Sequence, residues 1–155
     1  MAAGTWKIYA NAKKRIGNGG ITLGAGVFKL QLHRASASAA ILVLSTRVLS
    51  TSVPGEISAT GGYVAAGRNL LPATGSWSVG ASAKQYKFYY STVGLVFTAS
   101  GASLSNIKYA LIRNSVSATG GLALCFCTLS TAAFTITNGN TLTITPNASG
   151  VFTLA

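Results

Sequence analysis

Only two side chains in this 155-residue chain are ready-made for proton transfer near neutrality, and neither has a companion. They are His33, the single histidine, and Glu56, the single acid; there is no aspartate. General acid–base chemistry draws on carboxylates and histidines with tuned pKa values, most often in sets. A Ser-His-Asp triad has no aspartate to use, and Glu56 could orient His33 only if the fold brings them together. Most hydrolase, transferase and divalent-metal sites therefore have no material here, and the expectation is a protein that is not an enzyme and takes no cofactor. His33 reads as a solvated or interface residue.

Other nucleophiles and motifs fare no better. Cys125 and Cys127 sit two apart. In a strand they share one face about 6.6–6.8 Å apart, with parallel side chains that cannot readily bridge. They read first as small buried thiols; an interchain bridge or a metal site is the alternative, and C-x-C alone has too few ligands for zinc. Gly17-Asn18-Gly19-Gly20 lacks the third glycine and the helix of a dinucleotide fingerprint, so it reads as a turn. Ser105-Asn106-Ile107-Lys108 matches S-x-x-K, but leads into a strand pattern without the companion motifs. Asn147-Ala148-Ser149 has the form of a glycosylation sequon, which means nothing without a secretory route.

What the chain does have is positive charge. Twelve Lys and Arg against one Glu give a formal charge of +11. Identical copies repel, so dense packing requires a charged partner: an acidic protein surface or nucleic acid. Lys13-Lys14-Arg15 is the only basic cluster, beside the glycine turn, and phosphate contact is one reading of it. Tyr86, Phe88, Tyr89 and Tyr90 with Lys84 and Lys87 could form a stacking platform for single strands. The plainer reading is that Tyr86, Phe88 and Tyr90 form the core face of a strand.

Charged residues are only 8% and hydrophobic ones 49%, against about 25% charged in a typical globular chain. The remaining surface must be Ser, Thr, Gly, Ala and Asn or be covered by other subunits, and the chain reads as an assembly protein. The longest apolar stretch, Ala35 to Leu49, is broken by Ser36, Ser38, Ser45, Thr46 and Arg47, which argues against a membrane span. Lys7 follows Met1 without an apolar segment behind it, so no signal peptide is expected and the chain is expected to be made in a cytoplasm.

Period-two alternation dominates the elements that must position these residues. Thr5 to Ala10 alternates, with Trp6, Ile8 and Ala10 on one side. In Val27 to His33, Phe28, Leu30 and Leu32 point inward and Lys29, Gln31 and His33 outward. Ala35 to Leu49 fits a short helix or an irregular crossover. Further strands are expected at 63–65, 68–71, 76–79, 85–90, 93–99, 106–113, 122–129, 133–137, 141–145 and 151–154. Asn138-Gly139-Asn140 predicts a hairpin between two of them, because Asn and Gly tolerate positive φ. The expectation is one all-β domain over residues 1–155, a β-sandwich of about eight to ten short strands, jelly-roll-like.

Several segments together carry a resemblance. They are Ala3-Gly4-Thr5-Trp6-Lys7-Ile8-Tyr9 with Lys13-Lys14-Arg15-Ile16-Gly17-Asn18-Gly19, then Val27-Phe28-Lys29-Leu30 and Gly61-Gly62-Tyr63. Phe97 to Leu104, Ile107-Lys108-Tyr109-Ala110, Thr141 to Ile144 and Asn147 to Phe152 complete them. The chain resembles small tailed-phage virion proteins of the capsid decoration, or cement, type. The resemblance implies a β-sandwich that forms trimers on the outside of a mature head. Its partner would be the major capsid protein. Lys13, Lys14 and Arg15, with Trp6, Lys7 and Tyr9 of the N-terminal segment, are the expected attachment surface. A basic virion protein facing nucleic acid, and a tail, adaptor or fibre subunit, are the alternatives; in a fibre module, Trp6, Trp77 and the tyrosines would stack on sugars.

Overall fold

The computed structural model describes residues 4–24, 26–43, 54–70, 77–79, 86–88, 90, 94–115, 121–146 and 150–154. Among these the chain is all-β, with two short helices. The order is β1 (Lys7–Ile8), α1 (Ala10–Gly17), β2 (Phe28–Arg34), a 3-10 turn (Ala35–Ala37), α2 (Ser38–Ile41), β3 (Arg68–Asn69), β4 (Trp77–Val79) and β5 (Tyr86–Phe88). Then follow β6 (Leu95–Thr98), β7 (Leu104–Asn114), β8 (Leu122–Thr128), β9 (Phe134–Ile136), β10 (Thr141–Ile144) and β11 (Phe152–Leu154).

Every pairing is antiparallel. The main sheet runs β1-β8-β7-β2-β3, with β9 on the far end of β7; β10 pairs β6, and β11-β5-β4 form a third sheet. Register assigns the faces of the main sheet, because alternate residues point to opposite sides. Leu30 lies opposite Ile112 and Leu32 opposite Ala110, and Cys125 and Cys127 continue these two rows. Phe28, on the same face, meets Phe88 edge-on at 5.0 Å, and Phe88 stacks on Phe152 at 5.3 Å. The second face carries Gln31, His33, Tyr109, Leu111 and Phe126. There Tyr9 packs on Phe126 at 5.5 Å, and the Tyr109 and Ser38 hydroxyls meet at 2.6 Å.

Both faces of the sheet are thus covered, and this overturns the outward placement of β2's polar residues. Gln31 is 4% exposed and His33 0%. A strand buried on both sides loses the polar-out half of its alternation, and a polar residue there must be tolerated inside. The interior also takes in Cys125 and Cys127, both free thiols. Burial pushes Cys125 up, and Cys127 up to about 12.

Three further expectations change and one holds. The Thr5 to Ala10 strand keeps only Lys7 and Ile8, and the chain then coils into α1. Residues 63–65 are turn rather than strand, with Tyr63 N–H donating to the Thr60 carbonyl and Gly67 N–H to that of Val64. The short helix expected in Ala35 to Leu49 is present as the 3-10 turn and α2, although residues 44–50 lie outside the described part. Asn138-Gly139-Asn140 is a tight turn, with Gly139 at φ +88° and Asn140 N–H bonded to Thr137 O. It joins β9, which pairs β7, to β10, which pairs β6. The turn is a corner between sheets and not a hairpin.

Candidate functional site

The basic cluster lies on α1, whose sequence Ala-Asn-Ala-Lys-Lys-Arg-Ile-Gly is rich in good helix formers. Its buried stripe is Ala12, with Ile16 half-buried one turn on. At roughly 100° per residue, Lys14 points directly away from that stripe, and Lys13 and Arg15 flank it on either side. All three are exposed. Lys14 and Arg15 occupy the last turn, where cations complement the negative end of the helix dipole. Lys7 is also exposed, on the edge strand β1.

Two residues expected at this surface are elsewhere. Trp6 is 7% exposed and Tyr9 0%. The Tyr9 hydroxyl donates to the Ile41 carbonyl at 2.9 Å, which ties the start of α1 to the end of α2. These rings are the apolar anchors of the N-terminal segment and offer no docking surface. Of the attachment residues, Lys7, Lys13, Lys14 and Arg15 remain. The aromatic platform resolves the same way where it is described: Phe88 is 0% and Tyr90 1% exposed. The side chains of Tyr86, Lys87 and Trp77, with Lys84 and Tyr89, lie outside the described residues, as does the 147–149 sequon. Ser105 to Lys108 lies within strand β7, so it does not form the helical S-x-x-K site.

The single acidic side chain, half-buried, is turned toward the sheet edge. Residues 54–57 run along the free edge of β2: Arg34 N–H donates to Gly55 O, and Ile57 N–H to Leu32 O. Further along that edge, Leu70 N–H donates to Phe28 O. Leu32 N–H falls between these two runs and takes a side-chain partner instead, the Tyr63 hydroxyl at 3.1 Å. That hydroxyl in turn donates to Glu56 Oε1 at 2.6 Å, and Gln31 Nε2 donates to Glu56 Oε2 at 3.1 Å. Glu56 is therefore the acceptor that completes the sheet edge. Burial, then the bond to Glu56, pushes the Tyr63 phenol well above its usual range.

His33 and Glu56 face each other in an isolated antiparallel bridge, so the fold does bring the two titratable residues together. They do not make a catalytic pair. Glu56 is committed to Tyr63 and Gln31, and neither ring nitrogen of His33 has a hydrogen-bond partner among the described residues. Burial drives the imidazole down to about 4, and the nearby Pro54 carbonyl, which makes no well-formed hydrogen bond to the ring, pulls the other way. His33 is therefore neutral at pH 7. No group of three or more His, Cys, Asp or Glu that could hold a metal occurs among the described residues. No described helix is long and apolar enough to cross a membrane.

Two hollows lined by described residues bear on the site. One of about 390 Å³ is lined by Lys7, Phe126, Leu129 and the hydroxyl residues Thr5, Thr128 and Ser130. The other, of about 140 Å³, lies between Arg34, Ser58 and the start of β7. The second has no sequence motif; its residues come from three separate segments. Compared with protein-family models, curated proteins and solved structures, the chain matches none.

Proposed function

We propose that this chain is a structural virion protein that decorates and stabilises a tailed-phage head. On this reading it assembles in the host cytoplasm as a homotrimer, jelly-roll-like in each subunit, and docks on the outer lattice of the major capsid protein. It acts by binding, without turnover or a cofactor. The observation that carries the reading is the placement of charge. The only acidic side chain is half-buried and tied to Gln31 and Tyr63 at the sheet edge, while Lys7, Lys13, Lys14, Arg15 and Arg68 are exposed. Such a surface needs an acidic counterpart, which speeds encounter and fixes register. A trimer would multiply modest contacts by avidity. The resemblance in the sequence points to the same lattice partner.

Three consecutive cations on one helix also suit phosphates, so nucleic acid is the second reading. Co-sedimentation with heads lacking this protein, across a salt series and against naked DNA, separates the two. Saturable uptake at lattice stoichiometry with little DNA binding at physiological salt is the expected result. Uptake by DNA and not by heads would refute the decoration reading.

A further inference from the structure

The 140 Å³ cavity is lined by Arg34 at the end of β2, by Ser58 and Thr60 of the following loop, and by Ser103 and Ser105 at the start of β7. Its volume is well above the ~10–15 Å³ that one water requires. The Arg34 guanidinium donates to the Ser58 hydroxyl oxygen. The Asn138 N–H donates to the Ser103 hydroxyl oxygen at 3.1 Å. A hydroxyl that accepts an N–H bond still has its own proton to give. Two of the hydroxyls are thereby set as donors, beside a guanidinium that is always charged.

No carboxylate lines the cavity. The chain's one acidic side chain is engaged by Gln31 and Tyr63. The wall at Ser105 is shaped by a bulge: the β7–β9 register shifts between Leu104 and Ile107, and Asn106 takes φ +62°. Bulges re-aim side chains in this way. We infer that this cavity is a binding site for a small oxyanion, held by the Arg34 guanidinium and the Ser58 and Ser103 hydroxyls. The ligand class is a phosphate-like or carboxylate group. The inference concerns a different surface from α1, and it stands whether or not the protein docks on a capsid.

The test is a ¹⁵N-resolved NMR titration of the full chain with sodium phosphate and, separately, sodium acetate. Sodium chloride at matched ionic strength is the control. The expected result is saturable shifts at the Arg34 Nε–Hε and at the Ser58, Ser103 and Ser105 amides with an oxyanion and not with chloride. The tighter of the two salts assigns a tetrahedral or a carboxylate ligand. Arg34→Gln should weaken binding about tenfold or more, the loss of a charge-assisted donor. Should that variant fail to fold, Ser105→Glu places a carboxylate at the exposed rim and should abolish the response to added anion. Equal shifts with chloride, shifts confined to Lys13–Arg15, or undiminished binding in both variants would overturn the inference.

Discussion

Acid unfolding of most proteins is spread over many carboxylates, but in this one it should read out a single imidazole. The chain has one His and one acidic side chain. His33 is fully buried, and its pKa falls from 6.5 to about 4 on folding. The unfolded chain therefore binds the proton first as pH falls, and stability must drop with it. At about 1.36 kcal/mol per unit, the full linkage is about 3 kcal/mol. The loss starts just below pH 6.5, reaches about 2 kcal/mol by pH 5, and levels off below pH 4. Urea melts at pH 7.5, 6, 5 and 4 measure it directly. With a slope of about 1–3 kcal/mol per molar, the midpoint should fall by roughly 0.7–2 M between pH 7.5 and 5. His33→Leu removes two unpartnered nitrogens, so at pH 7.5 it should be as stable as the parent or more so. Its midpoint should stay flat down to pH 5. Glu56→Gln in the parent background should retain the slope. A parent protein whose midpoint is constant from pH 7.5 to 5, or a His33→Leu variant that keeps the slope, would refute the reasoning.

The sheet-edge plug gives a second test: Tyr63→Phe leaves Leu32 N–H and Glu56 Oε1 without their partner and should cost about 1–3 kcal/mol in urea melts. Glu56→Gln should cost less, since its amide oxygen still accepts from Tyr63. At high pH the fold should weaken, because Tyr63, Tyr90, Cys125 and Cys127 are all raised by burial; their stabilising effect is complete below about pH 9 and is lost above it. Thiol titration at pH 8 should find both cysteines unreactive until denaturant is added. Gly67→Ala should destabilise by about 1–2 kcal/mol or more, since Gly67 has φ +80° and a Cβ there would collide with the Leu30 carbonyl. Changing Lys13, Lys14 and Arg15 together to Gln should alter thermal stability little, yet lower head binding at low salt by about tenfold or more.

The strands were legible because turn residues and alternating apolar positions bracket most of them; β7, β8, β10 and β11 lie within a residue or two of their expected bounds. Helix α1 was hidden because Trp6, Ile8 and Ala10 continue a strand-like alternation into its first turn, and the helix is held by a tertiary contact, Tyr9 on Phe126. The burial of Gln31 and His33 was hidden for a related reason. Alternation shows that a strand has two different faces, not that the polar one will be covered. The basic cluster was visible as a run of charges, whereas the roles of Trp6 and Tyr9 depended on which side of the sheet the segment crosses. Arg34, Ser58, Ser103 and Ser105 meet only because β7 pairs one edge of β2 and residues 54–57 run along the other, and no spacing in the chain announces that.

The order of the strands also governs how the molecule must come together in time. Ile8 finds its partner at Cys125, Lys29 at Arg113, and Phe88 at Phe152. Such distant pairings place folding on the slow side, in the millisecond-to-second range. On the ribosome, β1 has no strand to join until residues 122–128 have emerged, and the second edge of β5 stays open until 152–154 follow. During that interval open strand edges are exposed on every nascent chain. The chain's formal charge of +11 keeps these unfinished copies apart.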